Sequence, residues 1–504
     1  MSFKKYLNYY KNIKTEKFIF PLQNLILSGE EFYNCVTNLD NEFKHFNNLK
    51  KGSRISIFYE NSVEYILLST YLISKGFVIV PINTTLSTKE IRYILKVSSS
   101  LFIIASKNSK KKINFCNKKI FFDFSKNLIK KQNKKYLNLL INSSNSIKRP
   151  SVLLFTSGST GKPKGSLLTL ENILFNARAI AEHHKLNHNS ISLVLMPLFH
   201  NNGYVGTFLS NFMVGGKLVV VPANLILLKF WHFIQKYKVT HTSVMVSVLS
   251  MITTLNTPTK KNYLKTIAVG GQKAPENLIK RFEKKFKTIA VVNYGLTETT
   301  SISAAVPLDK KIKKYNSIGK PLPGVKIKIL DEEKNILKNQ GIGEICITGK
   351  NVIKSYFGDK KLTRERFFKK YLKTGDFGKI DKNKNLYFFS RKDFLIIKNG
   401  ENIYPIEIEN QLYKMKNIEE CAVIGIEDKI YGDEIYAFIK GKNNYLKEDY
   451  IFSFLHKNLA KFKIPKKLFF LGKNIKIKEF PKTASKKILY PKLMQIVRNE
   501  ISKK

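Results

Sequence analysis

Short apolar runs alternate with stretches of helical spacing through the first half of the chain. Residues 54–59 alternate as a strand, 62–75 read as a helix, and the apolar run 77–81 ends in Pro81. A third run, 101–105, follows, and this β-α-β rhythm predicts a parallel sheet covered by helices. Residues 1–50 read as mixed and mostly helical, and 107–149, rich in Lys, Asn and Ser, as a basic surface excursion. Val152 to Phe155 is a further strand. Leu170, Ile173, Leu174, Ala177, Ile180 and Ala181 then fall at helical spacing, with Thr169 as N-cap and Glu171 in the first turn. That stripe reads as core.

The second half changes character. Residues 239–246, 266–269 and 291–294 read as strands, and Pro275-Glu276 opens a helix. After a turn-rich break at 318–324, strands at 325–330 and 343–348 predict a small β-rich subdomain over about 318–390. Pro405 suits a helix N1 position, with Glu407 and Glu409 in the first two turns. Strands at 421–426 and 435–439 and a helix at 449–460 complete a small α+β unit of roughly 110 residues, a normal domain size.

Length and composition narrow the class. At 504 residues the chain exceeds one ordinary core, so two to four domains or subdomains are expected. The net charge of +51 raises nucleic-acid or anionic-membrane binding. Against it, the lysines are spread evenly, Asn and Ile are abundant too, as an AT-rich genome produces, and no RNA- or DNA-binding signature occurs. The field still favours anionic ligands and salt-sensitive binding. Cys35, Cys116, Cys346 and Cys421 are far apart and form no metal spacing, which predicts reduced thiols in a cytoplasmic protein. The opening Met-Ser-Phe-Lys-Lys-Tyr has no apolar h-region, and no run of 18 apolar residues occurs, so neither secretion nor a membrane span is expected.

The most informative stretch is 154–165, Leu-Phe-Thr-Ser-Gly-Ser-Thr-Gly-Lys-Pro-Lys-Gly. Gly158, Gly161 and Gly165 allow close backbone approach to a ligand. Thr156, Ser157, Ser159 and Thr160 offer hydroxyls, exposed N–H groups can form an anion nest, and Lys162 and Lys164 add charge. Together these suit a polyphosphate. A P-loop is excluded, because Thr156 stands where its first glycine is needed and Pro163 where its Ser/Thr is needed.

This stretch resembles the phosphate-binding signature of the adenylate-forming enzymes, which include acyl-CoA synthetases, luciferases and peptide-synthetase adenylation domains. Other segments extend the resemblance over nearly the whole chain, in family order. Leu198-Phe-His-Asn-Asn-Gly203 is similar to the acyl-pocket motif, with His200 at the position that gates the carboxylate site; an amino-acid-activating domain usually has Asp there. Gly270 and Gly271 match the backbone lining of adenine, with Gln272 in place of proline. Tyr294-Gly295-Leu-Thr297-Glu298 implies a tyrosine near adenine, a threonine on the α-phosphate and a carboxylate on magnesium; Glu298 and Thr156 are the candidate metal ligands. Asp376, in Thr-Gly-Asp, implies a grip on the ribose hydroxyls, and Arg391 a contact to ribose and phosphate, with Ser390 replacing glycine. Asp393 occupies the hinge position. Phe480-Pro-Lys-Thr-Ala-Ser-Lys-Lys-Ile488 resembles the catalytic-lysine motif and assigns that role to Lys487, with Lys486 in place of glycine.

The resemblance implies an α/β fold. A large N-terminal domain of stacked α/β sheets with its β-rich subdomain, 1–391, would precede a mobile α+β C-terminal domain, 392–504. It implies an AMP-forming acyl-CoA ligase using ATP, Mg2+ and CoA, in which His200, Thr297, Glu298 and Lys487 serve the chemistry. The cofactor-binding set would be Thr156, Ser157, Gly158, Ser159, Thr160, Gly161, Lys162, Gly270, Gly271, Tyr294, Gly295, Asp376 and Arg391. Two alternatives stay open: an acyl carrier protein as acceptor in place of CoA, and a basic nucleic-acid-binding protein on an inactive scaffold. The acid itself is not legible, and either a monomer or a homodimer is compatible.

Overall fold

The computed structural model describes residues 3–130, 147–157, 163–222, 226–255, 262–272, 274–337, 341–415, 417–428, 432–441, 447–482 and 488–501. Two largely parallel sheets dominate the first 320 residues. In one, Ile289–Tyr294, Thr266–Gly270, His241–Met245, Ile191–Val194, Lys217–Val220 and Glu16–Phe20 lie side by side in parallel. Antiparallel edge strands extend it to nine. The other, six-stranded, runs Lys119–Phe121, Phe102–Ala105, Arg54–Phe58, Val78–Pro81, Pro150–Ser157, Pro163–Thr169. Only its last pair is antiparallel.

The sheets share a core because the helices between them are apolar on more than one face. Val63–Lys75 starts on the Ser62 side chain, which accepts from Tyr65 N–H, and nearly all of it is buried. Its Tyr65, Leu68 and Leu72 join Phe18, Ile57, Leu168 and Phe208 in one cluster that draws on both sheets. The expected helix after residue 169 is Leu170–His183. Thr169 and Asn172 cap it reciprocally, and Asn172 also donates to the carbonyls of Lys350 and Val352.

Beyond residue 320 the sheets become mostly antiparallel; only Gly432–Gly441 and Lys467–Phe470 pair in parallel among the described residues. Lys326–Leu330, Gly343–Thr348, Tyr371–Ile380, Phe367–Phe368 and Leu386–Arg391 form the β-rich unit expected from the spacing of its strands. A last sheet joins Glu401–Ile403, Ile396–Lys398, Gly432–Gly441, Ile418–Asp428 and Lys467–Phe470. The helix Pro405–Leu412 has Pro405 in its first turn, as expected. Glu409 does more than favour the helix dipole: it is buried and accepts from Val423 N–H and the Tyr490 hydroxyl. The two apolar clusters of this part draw only on residues between Ile396 and Val497.

The first 50 residues are mixed and mostly helical, as expected, and they include a hairpin, Glu16–Phe20 and Leu25–Ser28, on the edge of the nine-stranded sheet. Its Phe18 and Leu27 are fully buried, so tertiary packing, not local periodicity, sets the strand. One expectation needs correction: the stretch after residue 107 is not wholly a surface excursion. Lys119–Phe121 pairs with Phe102–Ala105, and Ile113, Phe122 and Leu128 are buried; residues 131–146 lie outside the described residues. Among the described residues no helix is long and apolar enough to cross a membrane. All four cysteines are free thiols, and burial pushes Cys35 and Cys346 up to about 12.

Two buried histidines make the parallel sheet acid-sensitive. His184 Nδ1 lies 3.4 Å from Thr266 Oγ1, and His241 Nδ1 lies 2.7 Å from Thr240 Oγ1. Burial, then the neighbouring His183 and His241, lowers His184 to about 3; burial, then Lys265, lowers His241 to about 4. An unfolded histidine titrates near 6.5, so between those values the unfolded chain binds protons that the folded chain refuses. The stability is present above about pH 6.5 and is lost as pH falls towards 4. Urea denaturation is expected to show a loss of about 2 kcal/mol per histidine between pH 7.5 and 5, and His184→Gln should reduce that loss.

Candidate active site

The candidate residues gather where the parallel strands end, on the side where α/β sheets place ligands. Ile289–Tyr294 delivers Tyr294 to its C-terminal end, and Gly295 follows. Leu296 N–H donates to Thr299 Oγ1 at 2.9 Å, closing the one-turn 3-10 segment Thr297–Thr299 that carries Thr297 and Glu298. A Cβ at Gly295 would lie 1.7 Å from the Ser301 carbonyl oxygen, so only glycine fits there.

From the antiparallel sheet, Tyr371–Ile380 and Leu386–Arg391 bring Asp376 directly opposite Arg391. The Tyr294 hydroxyl donates to Asp376 Oδ2 at 2.7 Å, and Arg391 Nε lies 3.2 Å from Oδ1. Asp376 is 3% exposed, and these two partners help offset the cost of burying its carboxylate. Thr374 Oγ1 accepts from Asp376 N–H and donates to the Ile345 carbonyl, which fixes the turn. Burial and the adjacent Asp376 push the Tyr294 phenol well above its usual range, so it stays a donor. Three motifs far apart in sequence thus meet in one charged junction.

Glu298 is half-buried, and its Oε1 accepts from the Tyr356 hydroxyl at 3.0 Å. Its backbone carbonyl accepts from Ile353 N–H. Burial, then the charge of Glu298, pushes the Tyr356 phenol up. Tyr356 and Arg366, whose Nη2 donates to the Thr374 carbonyl, are site neighbours that motif reading missed. No residue spacing flags them, because each reaches the site through a loop or a short helix end.

His200 follows Pro197 in a tight turn, and its ring is tilted against Phe199, with centroids 4.8 Å apart. The π-helix Asn202–Leu209 begins two residues later; such windings are frequent at functional sites. Gly270 ends its strand and Gly271 has a positive φ of 88°. Ser243 Oγ donates to Asn202 Oδ1 at 3.1 Å across the same strand ends.

The glycine-rich segment departs from its expected form at the edges. Thr156 and Ser157 belong to the strand Pro150–Ser157, which pairs antiparallel with Pro163–Thr169 in a hairpin, so they are not loop residues. Gly158, Ser159, Thr160, Gly161 and Lys162 lie outside the described residues, as does Lys487. The chain on either side of the latter is pinned: Lys482 bridges Ile488, and Leu489 N–H donates to the Pro481 carbonyl at 2.8 Å. Asp393 is exposed in the turn Lys392–Phe394, between the antiparallel sheet and the last one. A separate cavity of about 550 Å³, lined by Phe58, Tyr59, Asn61, Ser106, Lys111 and Lys112 among others, lies at the ends of the six-stranded sheet and includes none of these residues.

Among the described residues no group of three or more His, Cys, Asp or Glu side chains could hold a metal ion by itself. The donor set fits Mg2+ of another kind. One part-exposed carboxylate, Glu298, with one oxygen oriented by a phenol, suits an ion that takes its other ligands from substrate phosphates and water.

Parallel strand ends joined to a Thr-Gly-Asp turn, with a separate α+β unit beyond a short linker, define the adenylate-forming class. The chain belongs to it: residues 15–357 match the AMP-binding enzyme family, and 407–487 match the AMP-binding enzyme C-terminal domain. Among similar proteins, the 2-succinylbenzoate–CoA ligase of Bacillus cereus (strain AH820) is 31% identical over 456 residues, 89% of each chain. That of Geobacillus sp. (strain WCH70) is 31% identical over 454 residues, 90% of this chain and 89% of that one. The o-succinylbenzoate CoA synthetase of Bacillus subtilis, solved with its acyl-adenylate intermediate, superposes with a TM-score of 0.82 at 27% identity, covering 97% of each chain. ATP-bound MatB from Rhodopseudomonas palustris shares the fold, with a TM-score of 0.86 at 22% identity over 98% of each chain.

Gly295→Ala is expected to destabilise the protein by about 1–3 kcal/mol in urea denaturation, since the Ser301 backbone must move. It should also weaken ATP binding, because the displaced turn carries Thr297 and Glu298.

Proposed function

We propose that the protein is an AMP-forming acyl-CoA ligase whose chemistry is divided between the strand-end cleft and Lys487. The observation that carries this reading is the junction of Tyr294, Asp376 and Arg391 beside Glu298, which sets a sugar-gripping carboxylate next to a metal-binding one. In the first step a substrate carboxylate oxygen attacks the α-phosphorus of ATP. The new P–O bond forms as the bond to pyrophosphate breaks. Two anions must meet, so positive charge and donors are needed where negative charge accumulates.

The 156–165 segment (Thr156, Ser157, Gly158, Ser159, Thr160, Gly161, Lys162) would hold the phosphates, and Thr297 the α-phosphate. Glu298, with Thr156, would hold Mg2+, which supplies charge neutralisation at the phosphates. Asp376 and Arg391 hold the ribose, Gly270, Gly271, Tyr294 and Gly295 line the adenine, and His200 borders the carboxylate. Lys487 reaches both reacting anions and aligns them. In the second step the 392–504 unit turns about Asp393 relative to 1–391 and withdraws Lys487. The CoA thiol attacks the acyl carbonyl, its proton leaves to solvent, and AMP departs with the bonding pair. Closure and reopening of this kind let one cleft serve two reactions.

The four free thiols support a reducing, cytoplasmic setting. 2-Succinylbenzoate, named for the relatives, is the first acid to try. A carrier-protein pantetheine arm is the competing acceptor, and AMP release with CoA alone separates the two. Lys487→Ala should lower acid-dependent ATP–pyrophosphate exchange by about two to three orders of magnitude, yet still convert a supplied acyl-adenylate to thioester. The same pattern from Lys486→Ala would move the role to its neighbour. No pyrophosphate with any of a broad panel of carboxylic acids would refute the activity.

A further inference from the structure

The strand ends beside His200 carry polar side chains where an apolar acid would want none. Ser243, Gly270 and Asn293 share one face of the nine-stranded sheet. Ser243 pairs with Ala268, two residues before Gly270, and Ala268 pairs with Val291, two residues before Asn293. The π-helix Asn202–Leu209 crosses this face, and of its residues only Asn202 and Gly206 are not buried. The Ser243 hydroxyl donates to Asn202 Oδ1 at 3.1 Å. A Cβ on Gly206 would stand 2.7 Å from that oxygen and 3.3 Å from Ser301 Oγ, so the glycine leaves the amide its place.

The Ser243 bond sets which way the amide faces. With Oδ1 held by the hydroxyl, the two Nδ2 hydrogens remain, and they meet no acceptor among the described residues. Nδ2 lies 4.0 Å from where a Cβ on Gly270 would stand, and no other chain atom beyond its neighbours comes nearer to that point than the Asn293 carbonyl oxygen at 3.7 Å. Gly270 therefore leaves room beside the amide. On the same face Asn293 Oδ1 is buried and pairs with nothing among the described residues. A donor without an acceptor and an acceptor without a donor thus border one space. An acid that filled it with CH2 groups would strip water from both and return no hydrogen bond.

We propose that Asn202 selects the acid. The substrate class is a carboxylic acid with a second oxygen function, hydroxyl, keto or carboxyl, distant from the carboxylate that reacts. That oxygen accepts from Asn202 Nδ2, and Asn293 Oδ1 accepts from its hydroxyl or from a bridging water. This rests on the adenylation reading above and narrows it.

Acid-dependent ATP–pyrophosphate exchange by the full chain, over acids matched in pairs, tests it: 2-succinylbenzoate with 2-butylbenzoate, p-hydroxycinnamate with cinnamate, and ω-hydroxyoctanoate with octanoate. The fastest acid should carry the oxygen and exceed its partner in kcat/KM by about a hundredfold or more, since the partner leaves the amide unmet. Asn202→Leu should cut that ratio by roughly tenfold or more, chiefly by raising KM for the oxygen-bearing acid. Its calorimetric affinity for ATP without acid should stay within about twofold of the parent's. A plain acid as the fastest, an unchanged ratio in Asn202→Leu, or an equal loss on both members of the pair would each overturn the proposal. If Asn202→Leu does not fold, Asn202→Asp still decides: it keeps the size and loses the N–H donors, so an unchanged ratio there breaks the assignment. Parent protein that exchanges with no acid of a broad panel would instead sink the adenylation reading itself.

Discussion

The Asp376 carboxylate, shared between the Tyr294 hydroxyl and the Arg391 guanidinium, is the contact on which the architecture of the cleft depends. Tyr294 ends a strand of the nine-stranded parallel sheet, whereas Asp376 and Arg391 face each other on an antiparallel sheet formed some 80 residues later. A buried negative charge costs several kcal/mol unless it is paired and hydrogen-bonded. Once it is buried between these two partners, the sheets cannot drift apart without exposing an unmatched charge. The junction therefore sets the cleft's dimensions before any ligand arrives.

Around it, the supports are mostly local and redundant. Gly295 lets the backbone pass against Ser301, Thr299 closes the turn that presents Glu298, and Thr374 ties the Asp376 turn to Ile345. Glu283 gives the same strand a second anchor at its other end. It accepts from Ala290 N–H at 2.9 Å and from the hydroxyl of Tyr315, and it pairs with the fully buried Lys313. A strand fixed at both ends is a rigid platform, which suits chemistry that depends on alignment.

Much of this is readable from residues alone, for a physical reason. The β-α-β rhythm, the Thr169 cap and the strand-then-glycine motifs are local signals, and the structure matches them closely. What escapes such reading is set by distant partners. Glu16–Phe20 and Leu25–Ser28 are strands because Phe18 and Leu27 enter a core that includes residues as distant in sequence as Val220 and Tyr356, so their periodicity is ambiguous. Thr156 and Ser157 have the composition of a loop, yet they pair with Lys164 and Pro163 in a ladder. Tyr356 meets Glu298 across 58 residues, and Arg366 is one arginine in a chain with 88 basic residues.

One small aromatic contact carries a consequence for motion. Tyr404, the residue that opens the helix Pro405–Leu412, lies 5.4 Å from the Phe389 ring and 6.5 Å from Phe377 on the antiparallel sheet. Aromatic pairs of this kind contribute on the order of 1 kcal/mol each beyond the area they cover. Such a latch biases the posture of the terminal unit by roughly ten- to a hundredfold, well short of locking it. It would hold one arrangement for most of the time yet release it on thermal fluctuation alone, with no fuel required for the turn.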